Sequence, residues 1–292
     1  MPNLDTPATQ PAPIRVGGRT IVPLVEAVGP ALPARATYPQ LDQDELQDLI
    51  EAFGDTFSDS SRTRLRVVCQ GFAILGAGRV ILVDTCLGGP KPNRPHPRGD
   101  FVSRWPSALI EAGIRPDHVD TVINTHLHHD HVGWNTTFEA GQLRPTFPRA
   151  LYLTTTAEFV HATRGKPQDH ITNSLLPLQS TKQFDTCEPD TRIDQEVRLI
   201  PAPGHTPGHV VVEIDSQGRR AVLAADLIHH PLQLRRPDVS AAMCTDPHQS
   251  AITRRRILRR YADTGTLFLP SHLPKGGYLR SAGDGWRLTE RP

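Results

Sequence analysis

The chain has 292 residues, 32 Lys and Arg against 31 Asp and Glu, a net charge of +1, and 37% hydrophobic residues. That length allows one large domain or two small ones, and the balanced charge argues against a nucleic-acid-binding or anionic-membrane protein. No apolar run approaches the roughly 20 residues of a membrane span, and Met1 to Pro13 lacks the apolar core of a secretory signal. Cys69, Cys86, Cys187 and Cys244 are scattered without a C-x-x-C pair, which points to free thiols in a reducing cytoplasm.

Residues 1–15 are polar and proline-rich and read as a flexible tail; residues 16–292 read as a single domain. Thr20 to Val28 reads as a strand. Leu41 to Phe53 reads as an amphipathic helix, with Leu46, Leu49, Ile50 and Phe53 on one face and Gly54 as its stop. This helical addition around 41–54 can cover a site, contribute a contact in a homodimer, or simply pack on the core. Leu65 to Ile74 and Arg79 to Val83 read as strands around the turn Gly76-Ala77-Gly78, the second ending in Asp84-Thr85-Cys86. Leu87 to Asp100, rich in Gly and Pro, reads as a long loop of the kind that walls binding sites. Phe101 to Ala112 reads as a helix stopped by Gly113.

Val119 to Asn124 then reads as a buried strand, and the ligand-type residues begin where it ends: Thr125-His126-Leu127-His128-His129-Asp130-His131. Alternation along an extended chain lets His126 and His128 point one way while Leu127 points into the core. Asp130 and His131 can face the same pocket from the following turn. Neutral imidazoles with a carboxylate suit zinc or a similar borderline divalent ion. One loop histidine is usually a solvated group; four ligand-type residues within six positions are hard to explain by packing.

This His-x-His-x-Asp-His string resembles the signature of the metallo-β-lactamase superfamily, and the resemblance extends over roughly residues 16–292. It implies an α/β fold, a four-layer αββα sandwich, with a one- or two-metal site. It also implies that Asp84 supports the metal site from behind its ligands; without the resemblance Asp84 reads equally as a turn residue.

Beyond the cluster, Trp134 and Phe138 can wall a substrate pocket or pack the next element. Ala150 to Leu153 reads as a strand and Thr156 to Thr163 as a helix. Residues 164–188 read as polar and irregular, with His161 and His170 lacking any partner spacing. After a strand at Val197 to Ile200 comes Gly204-His205-Thr206-Pro207-Gly208-His209, which closely matches a second motif of the superfamily. His205 would complete a three-histidine site with His126 and His128. His209, at the start of the strand Val210 to Ile214, reads as a hydrogen-bonding support. Asp226 ends the strand Ala221 to Ala225, where the resemblance implies a metal-bridging carboxylate; the β-lactam-cleaving members have cysteine or serine there. Its presence favours the lactonase, glyoxalase II and phosphotriesterase-like branches. His229 and His230 follow as substrate or support candidates, with a surface loop as the alternative. Ser250 to Tyr261 reads as a helix whose five arginines form a solvated face. Thr266 to Leu269 is the last strand read, and His272 after it would complete the second metal's ligands.

The ligand set implied is His126, His128 and His205 for one ion, Asp130, His131 and His272 for another, and Asp226 between them. Two zinc ions sharing a hydroxide make a hydrolase of small ester-like bonds, with a lactone such as an acyl-homoserine lactone favoured. Phosphotriester or thioester hydrolysis by the same site, and a non-catalytic metal-binding protein, are the alternatives. Asp130 is the candidate for proton handling while ligating; Lys275 is a weaker candidate acid. A small-molecule substrate is expected and neither nucleic acid nor membrane, with substrate choice residing in residues 87–100, 164–188 and 229–247.

Overall fold

The computed structural model describes residues 5, 7, 9–92 and 103–291. In chain order the elements are β1 (Ile14–Val16), β2 (Arg19–Pro33), α1 (Ala34–Thr37), α2 (Gln43–Glu51), β3 (Arg64–Gly76), β4 (Arg79–Val83), α3 (Trp105–Glu111), β5 (Thr121–Ile123), β6 (Thr136–Glu139), β7 (Gln142–Pro145), β8 (Leu151–Thr155) and α4 (Thr156–Thr163). They continue with α5 (Asp169–Ser174), α6 (Leu176–Ser180), β9 (Phe184–Cys187), β10 (Val197–Pro201), β11 (Val210–Ser216), β12 (Arg219–Ala225), α7 (Leu232–Arg235), α8 (Pro247–Tyr261), β13 (Leu267–Pro270), β14 (Gly277–Ala282) and β15 (Gly285–Thr289). Two compact units result: a first made of Asp5–Ala27 and Cys69–Thr191, and a second made of Val28–Val68 and the chain from Arg192 on. The divisions fall inside β2 and β3. No helix among the described residues is long and apolar enough to cross a membrane.

The first unit is built on a seven-stranded sheet in the order β1-β2-β3-β4-β5-β8-β9. From β4 to β9 the strands are parallel, with Val83 opposite Ile123 and Ile123 opposite Leu153. All three residues of β5 are buried, as expected of a central parallel strand covered on both faces. A core of Val22, Leu82, Trp105, Val122, Phe147 and Tyr152 fills one side. The second unit holds a six-stranded sheet in sequence order, β10 to β15, antiparallel except where β12 pairs with β13. That one parallel pair needs a crossover, and α7 and α8 lie within it. Asp226 follows β12 and His272 follows β13, so the crossover brings two distant residues to neighbouring strand ends.

Several expectations need correction. The stretch read as a tail already carries structure: the Gln10 side chain both donates to Val25 O and accepts from Val25 N, and β1 begins at Ile14. Three residues of β1 are too few to show alternation in sequence. Residues 93–100 of the loop and the first two residues of the helix read from Phe101 lie outside the described residues; α3 itself starts at Trp105. The irregular stretch 164–188 contains α5, α6 and β9. A hairpin, β6 to β7, follows the cluster, and Phe138 lies on it half-exposed. A further hairpin, β14 to β15, follows His272.

Two helices show where the packing reading was right and where it failed. α2, capped by Asp42 accepting from Glu45 N, buries Leu46 and Ile50 against Tyr38, Leu65, Leu232 and Val239. It packs on the core of its unit. α8 was read as presenting all its arginines to solvent. Arg254 instead is fully buried, because it falls on the face shared by Ser250, Ile257, Leu258 and Tyr261. Its guanidinium donates to Leu227 O, Pro237 O and Val239 O at 2.9 to 3.0 Å, pinning the segment that follows Asp226.

Candidate metal centre

In the first unit the cluster leaves β5 as expected, and four supports hold it. Asp84 is the nearest. Its backbone N–H bonds Ile123 O at 2.9 Å, extending the parallel pairing of β4 with β5. Its side chain, at a residue with φ of +60°, turns across to the neighbouring strand end. There it accepts from Thr125 N and Thr125 Oγ1, both at 2.8 Å, and from His131 Nδ1, also at 2.8 Å. With Nδ1–H given to a carboxylate, the lone pair of His131 sits on Nε2. Glu158, buried at the first turn of α4, accepts from Leu127 N at 2.9 Å. Asn124 donates to His131 O at 3.2 Å. Lys91 Nζ, buried, donates to Gly133 O, Thr136 Oγ1 and Ser174 Oγ at 2.6 to 3.0 Å. Gly133 is required: a Cβ there would stand 2.0 Å from the Leu87 carbonyl carbon.

Within this frame the His126 and His128 rings approach to 3.1 Å between Nε2 and Nδ1, and Thr125 Oγ1 lies 3.2 Å from His126 Nδ1. Asp130 Oδ2 stands 3.9 Å from His131 Nε2, and its side chain is partly exposed. His129 is the outward member, 3.7 Å from Asp130. His170, read as partnerless, donates from Nε2 to Leu127 O at 3.0 Å, a second brace on the same loop.

The second unit assembles its own cluster around Asp226. Nε2 of His205, His229 and His272 lies 3.2, 3.2 and 3.1 Å from its carboxylate oxygens. His209 is the support expected: Nδ1–H donates to Ala202 O at 2.9 Å, and Nε2 accepts from Asp226 N at 3.2 Å. His272 Nδ1–H donates to Val68 O at 2.9 Å, which turns its Nε2 toward the Asp226 carboxylate, 3.1 Å away. His229, which is buried, stacks on His272 with ring centroids 5.3 Å apart. Burial pushes its basicity down, against the opposing pull of Asp226. Buried histidines converging on one carboxylate are donors suited to a divalent ion, and ligand atoms of Asp226, His229 and His272 all lie within 4.8 Å of one another. His205 enters the cluster from a turn at Gly204, where a Cβ would meet Ser250 N at 2.2 Å, and Cys244 Sγ lies 3.6 Å from His205 Nδ1.

Two candidates stand apart from both clusters. Trp134, for which the sequence allows a pocket wall or plain packing, packs on the first unit's core, stacked on Trp105 with its indole N–H donating to Glu26 at 2.7 Å. His230, for which the sequence allows a substrate or support role or a place on a surface loop, is instead fully buried between Phe53 and Phe57. Both its nitrogens are used, Nε2–H donating to Phe57 O and Nδ1 accepting from Leu232 N, and burial lowers its pKa to about 3. Lys275 is exposed. Sequence reasoning missed Glu158 and Lys91. Glu158 had a signal, the Thr155-x-x-Glu158 pattern of a helix start; Lys91 had none.

A sequence profile of the metallo-beta-lactamase superfamily matches residues 66–272. An N-acyl homoserine lactonase from Bacillus sp. is 27% identical over 115 residues, which are 39% of this chain and only 40% of that protein's length. Among solved structures, the hydrolase AbOPH of the beta-lactamase superfamily superposes with a TM-score of 0.82 at 22% identity, covering 97% of this chain and 98% of its own. AidC, a dizinc quorum-quenching lactonase solved with its product N-hexanoyl-L-homoserine, gives 0.79 at 18% identity over 100% and 98%. These likenesses show the fold, the α/β architecture of αββα class expected from the motifs.

Proposed function

The chain belongs to the metallo-β-lactamase superfamily as a metal-dependent hydrolase, and from that premise we propose that it is a dinuclear zinc enzyme opening a small ester-like bond, with a lactone such as an acyl-homoserine lactone as the favoured substrate. The observation that carries the reading is the cluster at Asp226. Three histidine Nε2 atoms lie within 3.2 Å of one carboxylate, and the Nδ1–H of one of them, His272, is held by Val68 O so that its Nε2 faces that carboxylate. In the proposed assignment His126, His128 and His205 hold one ion and Asp130, His131 and His272 the other, with Asp226 shared. When bound, such a pair supplies an acidified water and a polarising charge at the scissile carbonyl.

The chain's own residues then have separate tasks. Asp84 holds the His131 tautomer, His209 fixes the backbone of Asp226, and Glu158 and His170 stiffen the loop between His126 and His128. Asp130, the partly exposed carboxylate of the set, takes the proton released as water adds. The lactone preference is supported by the two lactonase relatives, and the four free cysteines suit a reducing cytoplasm.

Hydrolysis of lactones, a phosphotriester, a thioester, an aryl ester and a β-lactam by zinc-loaded protein, with a chelated control, tests the reading. A chelator-sensitive rate greatest on a lactone is expected. Turnover of the thioester or phosphotriester alone would move the substrate class, and full activity in both His126→Ala and Asp226→Ala would remove the site assignment.

A further inference from the structure

Away from the histidine clusters, the first unit holds another convergence of ligand-type side chains. The sulfurs of Cys69 and Cys86 and a carboxylate oxygen of Glu26 all lie within 4.8 Å of one another. Topology explains the meeting of the cysteines. β3 pairs with β4 as far as Phe72 opposite Val83; Cys69 lies three residues before Phe72 on β3, and Cys86 three residues past Val83, in the turn that leaves β4 with φ of +52°. Each thiol donates to a backbone carbonyl, Cys69 to Asp130 O at 3.6 Å and Cys86 to Leu24 O at 3.8 Å, so the sulfurs meet through their lone pairs. Cys86 is buried and Cys69 is the less buried residue of the two, so Cys69 is taken as the side from which an oxidant enters.

Glu26 does not turn this group into a metal site. Its carboxylate accepts from Leu87 N at 2.5 Å, from Trp134 Nε1 at 2.7 Å and from Ser103 Oγ, so its lone pairs are engaged. What remains is a dithiol. We propose that Cys69 and Cys86 are a redox pair that closes to a disulfide, with a peroxide as oxidant. The Cys69 sulfur attacks one peroxide oxygen and the O–O bond breaks; the departing hydroxide takes the thiol proton and leaves as water. The Cys86 sulfur then displaces the hydroxyl from the Cys69 sulfenic acid, which leaves as a second water with the Cys86 proton. Two thiols and one peroxide give one disulfide and two waters. Cys69 is held above its ordinary pKa by the neighbouring Cys86 thiol and by burial, and Cys86 is held up by burial, so closure is slow beside that of an exposed acidic thiol. The Cys69 thiol also donates to Asp130 O at 3.6 Å, and a disulfide carries no S–H. Oxidation therefore withdraws a donor from the backbone of the histidine turn.

The test is a time course of the full chain in excess hydrogen peroxide, quenched with iodoacetamide and digested for peptide mapping, beside free cysteine as a control. The expected result is a cross-linked peptide pair holding Cys69 and Cys86, lighter than the two reduced peptides by two hydrogens and reopened by dithiothreitol. Cys69→Ser should lose the cross-link and leave Cys86 to the alkylating agent. The wild-type map stands alone if that variant does not fold. Both cysteines alkylated after the control is fully oxidised, or Cys69 driven to sulfinic acid with no cross-link, would overturn the proposal.

Discussion

The two histidine clusters are held by different chemistry. In the first unit the key supports are carboxylates: Asp84 takes the His131 Nδ1 proton, and Glu158 takes the Leu127 amide. In the second unit the supports are main-chain carbonyls: Ala202 O for His209 and Val68 O for His272. A carboxylate partner raises the basicity of the imidazole behind it, whereas a carbonyl chiefly orients the ring. The first cluster is thus tuned electrostatically and the second mainly by backbone geometry. Each unit also buries a charged residue that backs the chain near its cluster rather than the cluster itself, Glu26 at the loop after Asp84 and Arg254 behind the segment after Asp226.

This contrast can be attacked from several sides. The largest effect is expected at Asp226, on which three histidines of the second cluster converge. Asp226→Ala should lower chelator-sensitive hydrolysis by more than about 100-fold, beyond the range seen for supporting residues, with the circular dichroism spectrum retained; near-normal turnover would show that the cluster is not the reaction centre. Next comes Arg254→Met, which leaves the buried Leu227 and Pro237 carbonyls without their donor, while Val239 O keeps Gln233 Nε2. At about 1–3 kcal/mol for each unsatisfied group, urea denaturation should show a loss of about 2 kcal/mol or more. A loss below about 1 kcal/mol would mean that the segment after Asp226 holds itself.

Glu26 supplies a pH test. Burial raises its pKa from 4.5 to about 7, against the hydrogen bonds of Ser103, Trp134, Leu87 and Gly88. The folded state therefore holds the proton more tightly than the unfolded chain. The stabilisation is fully present below about pH 4.5 and is lost as pH rises through about 7, a change of about 3 kcal/mol. In Glu26→Gln that slope should flatten, and identical slopes in the two proteins would exclude a buried titrating carboxylate. The smallest pair of changes is the sharpest for the comparison itself. Asp84→Asn should weaken metal binding by about 10- to 100-fold with little loss of stability. His209→Gln should cost about 1–2 kcal/mol of stability and leave metal affinity nearer to wild type. Equal effects on affinity would erase the distinction drawn between the two clusters.

The contrast also explains what could be read from the sequence. The ligand-type residues are dense and follow apolar strands directly, so His126, His128, Asp130, His131, His205, Asp226 and His272 stood out as candidates. So did the strands β3, β4, β11 and β12, whose runs are long enough to show pattern. The hairpin β6 to β7 did not, because its two-residue loop is Ala140-Gly141, with φ of +49° and +79°. That loop geometry usually announces itself as Asn-Gly or Asp-Gly. α5 and α6, of six and five residues, are too short for a helical repeat to show in sequence, and Pro177 interrupts the apolar run Leu175-Leu176-Pro177-Leu178. Arg254 sat at a helical spacing from Ser250 and Ile257, but charge outweighed position in the reading. Trp134 and His230 looked functional from composition near the motifs; only tertiary structure shows Glu26 and the Phe53–Phe57 pair taking them into the core.

The most direct test of the account is a zinc titration of metal-free protein, following bound metal and lactone hydrolysis in the same samples. Activity absent without metal, rising to a plateau at two ions per chain and abolished by chelation, is the predicted result. Lactone turnover that persists in metal-free protein, or saturation at a single ion with no hydrolysis, would contradict it.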